Sequence, residues 1–492
     1  MSRALALLSR NAWPLGFSAA AFTIAVGLPA ADSDMWWHLA SGKWMVEHRD
    51  RLGVDIFSST ATGEPYALGE WLGEVALYLA YAAGSWIGVA VLRATLVAVA
   101  AFAVARSALR HAPPVLAVPL ASLAIVLSKP TWTDRPQLFT LALFPVLLEL
   151  CLAARSGSRA ALVAAVPVVV VWSDLHAGYA LGIALLWIFA VDALLEHRPA
   201  TGWLVAAALT TFLVSAHPGP LSLISAAGHV AAATRGIAEE SPVDVLTPFG
   251  ALFALFVGAA LAAFLIRGGT VLGAFVLVPM LWLALSAQRH VPLFGFAVVP
   301  FLSEVITKAQ AAATSRSGAS EARAAAATSD REHEQGRSRI LDLAERSDGS
   351  ARSWPHVRSM LVIALWIGAI ASIATAPRSP DTRVFPVGAR DALKASSGVL
   401  LNEYDWGGYL IWTVPERPVF VDGRLYPYVA NGVLAAYQTA VHVLPGWRSA
   451  IDRWNVTQAL IRPDRALAQA LRDDGWSVRS EGEGYVLLER PR

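Results

Sequence analysis

Residues 86–106 read WIGVAVLRATLVAVAAFAVAR, an apolar run in which Arg93 is the one charge before the closing Arg106. A run of about 20 such residues spans the apolar core of a bilayer as one helix. A charge inside such a helix is costly, so we expect Arg93 to be buried against an acidic partner that the sequence does not identify. With this one, the chain has eleven such runs, at 14–31, 86–106, 113–129, 136–153, 160–173, 178–195, 202–216, 247–266, 270–287, 291–307 and 357–376. They predict a polytopic, mainly α-helical membrane protein with about eleven transmembrane helices.

The composition favours the same class. Of the 492 residues, 55% are hydrophobic and 15% are charged, against about 25% charged in soluble domains. The single cysteine, Cys151, excludes an intrachain disulfide and a multi-cysteine zinc site. The chain contains no glycine-rich phosphate loop, no G-x-S-x-G elbow and no H-E-x-x-H motif. Nucleotide-driven and hydrolase mechanisms therefore lack motif support, and we expect no nucleic-acid partner.

The charges of the short loops predict the orientation. The apolar run at 14–31 is long for a signal peptide, which favours a first membrane span. With a cytoplasmic N-terminus, the inside segments carry Arg3, Arg10, Arg106, Arg110, Arg155, Arg159, Arg198 and Arg267. The opposite loops carry charges of both signs. This bias follows the positive-inside rule and predicts that the N-terminus is cytoplasmic.

The rest of the chain divides into four parts. We predict a multi-span domain over 1–308, with an outer first loop at 32–85 in which 71–83 forms a helix along the membrane. A flexible cytoplasmic linker follows at 309–356, because its composition offers little apolar surface to bury. The last span at 357–376 then leads outside. In the tail, short apolar runs predict strands at 399–401, 419–421, 459–461 and 485–488, and helical patterns lie at 428–441, 447–454 and 465–473. Residues 377–492 are therefore expected to form a small extracytoplasmic α/β domain.

Unusual polar residues collect on the predicted outer face. They are Asp32, Asp34, His38, Lys129, Asp134, Arg135, Asp174, His176, His217, Arg289 and His290. Charges that only mark the ends of helices would occur on both faces. The concentration on one face predicts a functional site there.

The first outer loop has two interpretations. If a helix begins near Asp34, then Asp34 and His38 share one of its faces, four residues apart. Trp36 and Trp37 are suited to the headgroup level or to stacking on a sugar ring. In the structural alternative, Asp32 or Asp34 caps the helix and the tryptophans form an interfacial belt.

The other loops also allow two interpretations each. Arg135 either extends to a headgroup or binds a phosphate. Asp174 and His176 are either a locally satisfied pair or part of the site. A divalent cation at that pair would need further ligands, which the spacing does not reveal, so no metal ligands are predicted. Arg289 and His290 form a cation pair suited to a lipid phosphate.

Several motifs resemble one protein family. They are Asp32–Gly42, Glu70–Leu72, Arg135–Thr140, Asp174–Gly178, Trp406–Leu410 and Val421–Arg424. The chain resembles, over nearly its whole length, a largely uncharacterised family of bacterial multi-span proteins grouped with the glycosyltransferase C superfamily. The resemblance implies a sugar donor linked to polyprenyl phosphate and an acidic residue in the first outer loop. That acid acts as a general base or helps to hold a metal. Asp32 and Asp34 stand where this loop would place it.

The resemblance implies a mechanism. Asp34, or Asp32 in second place, would take the proton of an acceptor hydroxyl, and His38 would orient Asp34 or bind the sugar. Arg135, Arg289 or His290 would stabilise the leaving lipid phosphate. Further substrate-binding candidates are Trp36, Trp37, Glu70, Asp174, His176, Tyr409, Asp422 and Arg424. Tyr409, Asp422 and Arg424 belong to motifs with two interpretations. Either the motifs are tight turns, or these three residues grip an acceptor glycan.

We therefore expect a membrane glycosyltransferase in the bacterial cytoplasmic (inner) membrane. Its partners would be membrane lipids, a polyprenyl-phosphate sugar donor and a glycan, lipid or protein acceptor. Two alternatives stay open: a lipid or solute transporter, and a non-catalytic envelope assembly protein. A transporter is expected to show an internal repeat or interrupted helices at mid-membrane, and the sequence shows no convincing repeat.

Overall fold

A computed structural model of the protein describes residues 3–66, 69–217, 220, 241–267, 270–327, 355–429 and 431–491. Its membrane-domain helices are α1 (Arg3–Arg10), α2 (Ala12–Val26), α3 (Met35–His48), α4 (Trp71–Ala108), α5 (Pro114–Ser128), α6 (Gln137–Arg155), α7 (Arg159–Leu175), α8 (Tyr179–Leu195), α9 (Thr201–Ser215), α10 (Pro248–Arg267), α11 (Val271–Ser286), α12 (Val291–Ala327) and α13 (Pro355–Ala371). The C-terminal helices are α14 (Arg390–Lys394), α15 (Gly407–Thr413), α16 (Tyr426–Val429), α17 (Val433–Val441), α18 (Trp447–Asp452) and α19 (Ala466–Asp473). The strands are β1 (Val399–Asn402), β2 (Val456–Ile461), β3 (Ser477–Gly482) and β4 (Tyr485–Glu489).

The apolar segments form helices as predicted. Each of the eleven segments contains one. Within the described ranges, six helices are long and apolar enough to cross a membrane, namely α4, α5, α6, α10, α12 and α13. Another four, α2, α8, α9 and α11, are apolar but shorter. The multi-span character is confirmed, whereas the predicted number of spans is not.

Helix α4 is two helices joined by a sharp break. Gly84 has φ −147° and Ser85 has φ 53°, so neither is helical. Ser85 lies in the left-handed region, which a residue with a Cβ seldom adopts. The separation of a short helix at 71–83 from the span that follows is confirmed. That the short helix lies along the membrane stays a prediction.

The predicted linker is described only in part. Helix α12 continues to Ala327, well into the segment 309–356. Residues 328–354 lie outside the described residues. The flexibility of the linker therefore stays a prediction.

Backbone contacts divide the chain into two compact units. The first comprises Met1–Ile24, Val97–Lys129 and Pro242–Ala374. In it α12 packs against α5, α10 and α11, while α1 packs against α13. The Phe294 ring meets the edges of Phe253 and Phe256. This unit is a helical bundle with an aromatic core.

The second unit comprises Ala25–Leu96, Pro130–Ser241 and Thr375–Arg492. In it α7 packs against α6, α8 and α9, and α3 packs against α15 of the C-terminal part. The four strands form one sheet in the order β1-β2-β4-β3. Strands β1 and β2 are parallel, while β4 is antiparallel to both β2 and β3. The predicted small α/β fold is confirmed.

Two strand predictions failed in opposite ways. Residues 419–421 are buried but do not join the sheet, because Val419 instead forms an isolated bridge with Ser58 of the first outer loop. The Ser59 amide donates to the Val419 carbonyl at 2.9 Å, and the Val419 amide donates to Phe57 at 3.0 Å. Strand β3 was not predicted, since most of its side chains are exposed and it carries no apolar run. The outer loop thus supplies backbone partners to the C-terminal part of the chain.

Gly42 tests the close packing of α3 on the helix at 71–83. A methyl group at Gly42 would lie 2.2 Å from the Glu74 carbonyl oxygen and 2.9 Å from Tyr78 Cβ. We expect Gly42→Ala to force the helices apart and to cost about 1–3 kcal/mol. Thermal unfolding in detergent, followed by tryptophan fluorescence, measures the change. Gly53→Ala is the control, because nothing lies within 4 Å of a methyl there; equal midpoints for the two variants would contradict this packing.

Candidate active site

The carboxylates of the first outer loop meet Arg135. Asp34 occupies the N-cap position of α3, yet its side chain makes no capping hydrogen bond. Instead Arg135 Nη1 donates to Asp34 Oδ2 at 2.8 Å, and Arg135 Nε lies 3.1 Å from Asp32 Oδ2. Asp32 Oδ1 accepts from the Asp34 amide at 2.7 Å, which fixes the turn between them. One guanidinium therefore bridges two carboxylates, and the predicted capping role of Asp34 is not observed.

The three side chains are partly accessible. Their exposed fractions are 9% for Asp32, 22% for Asp34 and 14% for Arg135. Two carboxylates outnumber one guanidinium, so this edge of the site is negative. Such a set suits sugar hydroxyls and protons.

Arg93 positions this cluster from inside the membrane domain. Its Nη1 donates to both oxygens of Asp134, at 2.9 and 2.7 Å, and both side chains are almost fully buried. Its Nε donates to the Ala25 carbonyl at 3.2 Å, and its Nη2 donates to the Leu28 carbonyl. Asp134 is the partner that the sequence left unnamed. Because Asp134 precedes Arg135, this ion pair fixes the loop that reaches the first-loop carboxylates.

His176 is held as one tautomer. Its Nδ1 accepts from the Gly178 amide at 3.0 Å and lies 2.7 Å from Thr140 Oγ1. An amide can only donate, so Nδ1 carries no proton and the ring proton sits on Nε2. Nε2 lies 3.3 Å from Glu70 Oε1. His176 is therefore a neutral imidazole that donates towards Glu70.

Asp174 belongs to a neighbouring group. Its Oδ1 accepts from Trp71 Nε1 at 3.0 Å and lies 3.2 Å from His217 Nδ1. The face of the Trp71 ring is covered by Arg51, whose guanidinium carbon is 4.7 Å from the ring centroid. A cleft of about 590 Å³ opens beside Arg51 and Trp71. Its lining residues are Met45, Val46, Arg49, Asp50, Arg51, Trp71 and Val75. The Asp174 group thus adjoins open space.

His38 faces Glu74, a residue that sequence reasoning missed. His38 Nδ1 lies 3.1 Å from Glu74 Oε1, and the Tyr66 hydroxyl donates to the same oxygen at 3.2 Å. Burial lowers the pKa of His38 well below its ordinary value, and the charge of Arg135 lowers it further. Glu74 lies one turn after Glu70, but no signal in the sequence indicates its contact with His38.

The tryptophans of the first loop are buried. Trp36 is 2% exposed and Trp37 is 7% exposed. The Trp36 ring packs edge-on against Tyr409 and Phe385, with centroids 5.1 and 5.6 Å apart. Trp36 and Tyr409 therefore join the first loop to the C-terminal part of the chain. Their role in binding sugar stays a prediction.

The turn Asp422-Gly423-Arg424 forms a buried ionic cluster. Arg424 Nε and Nη2 donate to Asp422 at 2.7 and 2.6 Å, and Nη1 donates to Asp55 of the first loop. The Tyr428 hydroxyl donates to Asp422 at 2.5 Å. The Arg424 and Asp422 side chains are fully buried. The cluster holds the turn in place, while glycan binding by Asp422 and Arg424 stays a prediction.

Gly423 lies directly against the Asp34 carboxylate. A methyl group at Gly423 would fall 1.9 Å from Asp34 Oδ1 and 3.1 Å from Trp37 Nε1. Gly408 is equally close to the loop, since a methyl there would fall 2.8 Å from the Ser33 carbonyl oxygen. Glycine is required at both positions by this close approach. Residues of the C-terminal part thus form one wall of the first-loop site.

Arg289 and His290 lie in the other unit, in a short turn between α11 and α12. His290 Nδ1 lies 3.3 Å from the Leu283 carbonyl oxygen. Their predicted contact with a lipid phosphate stays a prediction. In the part of the chain that the structure describes, no three or more His, Cys, Asp and Glu side chains converge closely enough to hold a metal ion.

Solved structures of an oligosaccharyltransferase from Archaeoglobus fulgidus are similar to this chain. The apo form has a TM-score of 0.54 at 12% identity, covering 91% of this chain and 69% of that chain. The form tethered with an acceptor peptide containing the NVT sequon has a TM-score of 0.51 at 11% identity, covering 91% and 68%. Archaeal AglB in complex with an inhibitory peptide and a dolichol-phosphate has a TM-score of 0.50 at 11% identity, covering 91% and 69%.

No protein-family model matches the chain, and comparison with the curated proteins gave no match. The chain shares its fold with these oligosaccharyltransferase structures. Its resemblance to the glycosyltransferase C superfamily stays a prediction. At such low identity the likeness concerns the fold.

Removing one member of the Arg93–Asp134 pair tests its positioning role. We expect Asp134→Leu to leave Arg93 charged and unpaired, and to destabilise the protein by about 3–5 kcal/mol. The double variant Arg93→Met with Asp134→Leu removes both charges and is expected to recover most of that loss. Thermal unfolding of the single and double variants measures the coupling. Additive losses would show that the two side chains do not form the pair described.

Proposed function

We propose that the protein is a membrane glycosyltransferase. It moves a sugar from a polyprenyl-phosphate donor to an envelope acceptor at the outer face of the bacterial cytoplasmic membrane. The observation that carries this proposal is the Arg135 bridge to Asp32 and Asp34 in the first loop of a chain that shares its fold with an oligosaccharyltransferase. The complex of the similar archaeal enzyme with a dolichol-phosphate supports a lipid-linked donor.

The donor determines which groups the reaction needs. As the acceptor oxygen attacks the anomeric carbon, its proton passes to a basic group, and the bond to the lipid phosphate breaks. The first loop supplies the basic candidates Asp34, Asp32 and His38. Negative charge develops on the leaving phosphate, and Arg135 is the cation nearest to these candidates. Arg289 and His290 are proposed as further phosphate ligands.

The remaining candidates orient this set. Glu70, Asp174 and His176 face the substrate from the neighbouring loops. The buried residues Trp36, Trp37, Tyr409, Asp422 and Arg424 hold the first loop against the C-terminal part. A glycan, lipid or protein acceptor would approach between these groups. The acceptor peptide bound to the similar archaeal enzyme supports an acceptor at this face.

Mass spectrometry of co-purified lipids tests the proposal. We expect Asp34→Asn to stall turnover and to carry a polyprenyl-phosphate sugar enriched several-fold over the wild type. Glu64→Gln is the matched control, since Glu64 is an exposed carboxylate of the same loop. The control is expected to resemble the wild type.

The proposal would be overturned if all three proteins carried only bulk phospholipid and Asp34→Asn left the cell-surface glycans unchanged. That result would favour the non-catalytic envelope assembly protein.

A further inference from the structure

Two carboxylates one helical turn apart each face a histidine. Glu70 meets His176 and Glu74 meets His38, at 3.3 and 3.1 Å. The His38–Glu74 pair is the more deeply buried, with both side chains 3% exposed. A buried imidazole beside a buried carboxylate is the arrangement by which many enzymes orient a base. Glu74 has no role in the mechanism proposed above.

We propose that His38 accepts the proton of the acceptor group through Nε2, and that Glu74 is the positioning residue that directs Nε2 into the site. The proposal rests on the proposed function, because it chooses among the basic groups of the first loop. It replaces Asp34 as the preferred base. Asp34 then serves to hold Arg135 beside the leaving phosphate.

The geometry of His38 supports this choice. Nδ1 is the ring nitrogen that faces Glu74 Oε1, so we assign the ring proton to Nδ1 and the lone pair to Nε2. Within the described residues Nε2 has no hydrogen-bonding partner, and it is not one of the fully enclosed unpaired atoms. Arg135, whose charge acts on the His38 ring, also bridges Asp32 and Asp34. The Trp37 ring, with its centroid 3.5 Å from that of His38, restricts rotation of the imidazole.

The other candidates are already committed. His176 uses Nδ1 to accept from the Gly178 amide and presents its N–H to Glu70, so it has no lone pair to offer. Asp34 is ion-paired with Arg135 at 2.8 Å. His217 points Nδ1 at Asp174. Of these groups, His38 is the one whose proton-accepting atom is directed away from its carboxylate.

In the transfer step, the O–H or N–H bond of the acceptor breaks. An electron pair of the acceptor oxygen or nitrogen forms the new bond to the anomeric carbon. The bond from the anomeric carbon to the phosphate oxygen breaks, and its electrons leave with the lipid phosphate. The proton moves to His38 Nε2. Glu74, with Tyr66 donating to it, stabilises the imidazolium until the proton passes to water.

The pH dependence of kcat/KM separates His38 from Asp34. Because burial and the charge of Arg135 lower the pKa of His38 well below its ordinary value of 6.5, wild-type kcat/KM is expected to stay level at neutral pH and to fall only well below pH 6.5. His38→Gln is expected to lower kcat by roughly 100-fold to 10,000-fold. Glu74→Gln is expected to lower kcat less and to leave KM unchanged, with partial rescue by Glu74→Asp. Glu47→Gln is the control, because Glu47 lies on the exposed side of α3 and pairs with Lys43.

Asp34→Asn provides the contrary outcome. If His38 is the base, the acid limb persists in Asp34→Asn at reduced rate. An acid limb that Asp34→Asn abolishes, and that Glu74→Gln leaves unchanged, would overturn the proposal and assign the proton to Asp34.

A second measurement requires no turnover. Nitrogen NMR of histidine-labelled protein, with His38→Gln to assign the signal, reports the tautomer of His38. The expected result at neutral pH is a neutral ring protonated on Nδ1, altered in Glu74→Gln. A ring protonated on Nε2 would overturn the proposal even if the variants of the buried pair fail to fold. A wild type that transfers no sugar would refute the proposed function, while this measurement would still decide the state of the pair.

Discussion

A charged side chain inside an apolar helix must find an opposite charge, and Arg93 finds Asp134. Removing one partner of such a pair leaves an uncompensated charge in a medium of low dielectric, so both chain segments are tied to the contact. Arg93 also donates to the carbonyls of Ala25 and Leu28, just before the first outer loop. One guanidinium therefore joins three segments that are far apart in sequence. The position of Arg135, and with it the bridge to the first-loop carboxylates, depends on this pair.

A second constraint acts from the C-terminal part of the second unit. Between α3 and α4, the described residues of the first loop form turns and isolated bridges, and Asp55 is buried there beside Arg424. Buried ion pairs seldom add net stability, but they can specify a single arrangement. Here the arrangement places Gly423 against Asp34 with no room for a methyl group. We interpret the Asp55, Asp422, Arg424 and Tyr428 cluster as the device that sets this register.

The sequence predicted features that depend on local chemistry. Apolar runs identified the helices, and the predicted bounds 71–83 and 86–106 left the break in α4 between them. The buried state of Arg93 was also predictable, because an unpaired charge in a membrane span is too costly. The polar residues of four loops that the predicted orientation places on one face, those bearing Asp34, Arg135, Asp174 and His217, are found in one unit.

Features that depend on tertiary contact were not predictable. Asp134 has a satisfactory local explanation as a helix cap, so nothing in the sequence singles it out as the partner of Arg93. Glu74 lies in an apolar helix and follows no motif, yet it reaches His38 of another helix. The apolar run 419–421 has the pattern of a buried strand, but its backbone partners come from the first loop. In each case the missing information is which distant segment lies opposite.

The same distinction applies to the tryptophan pair, whose role in binding sugar stays a prediction. Adjacent tryptophans beside two carboxylates fit a sugar platform, and that expectation used only their chemistry. In the structure, Trp36 packs in an aromatic cluster with Phe385 and Tyr409, while Trp37 covers the His38 ring. Buried aromatics of this size fix position more firmly than a polar loop can, since each removes a large apolar surface from water. The polar groups of the site can stay partly accessible because rings beside them in the sequence supply the rigidity.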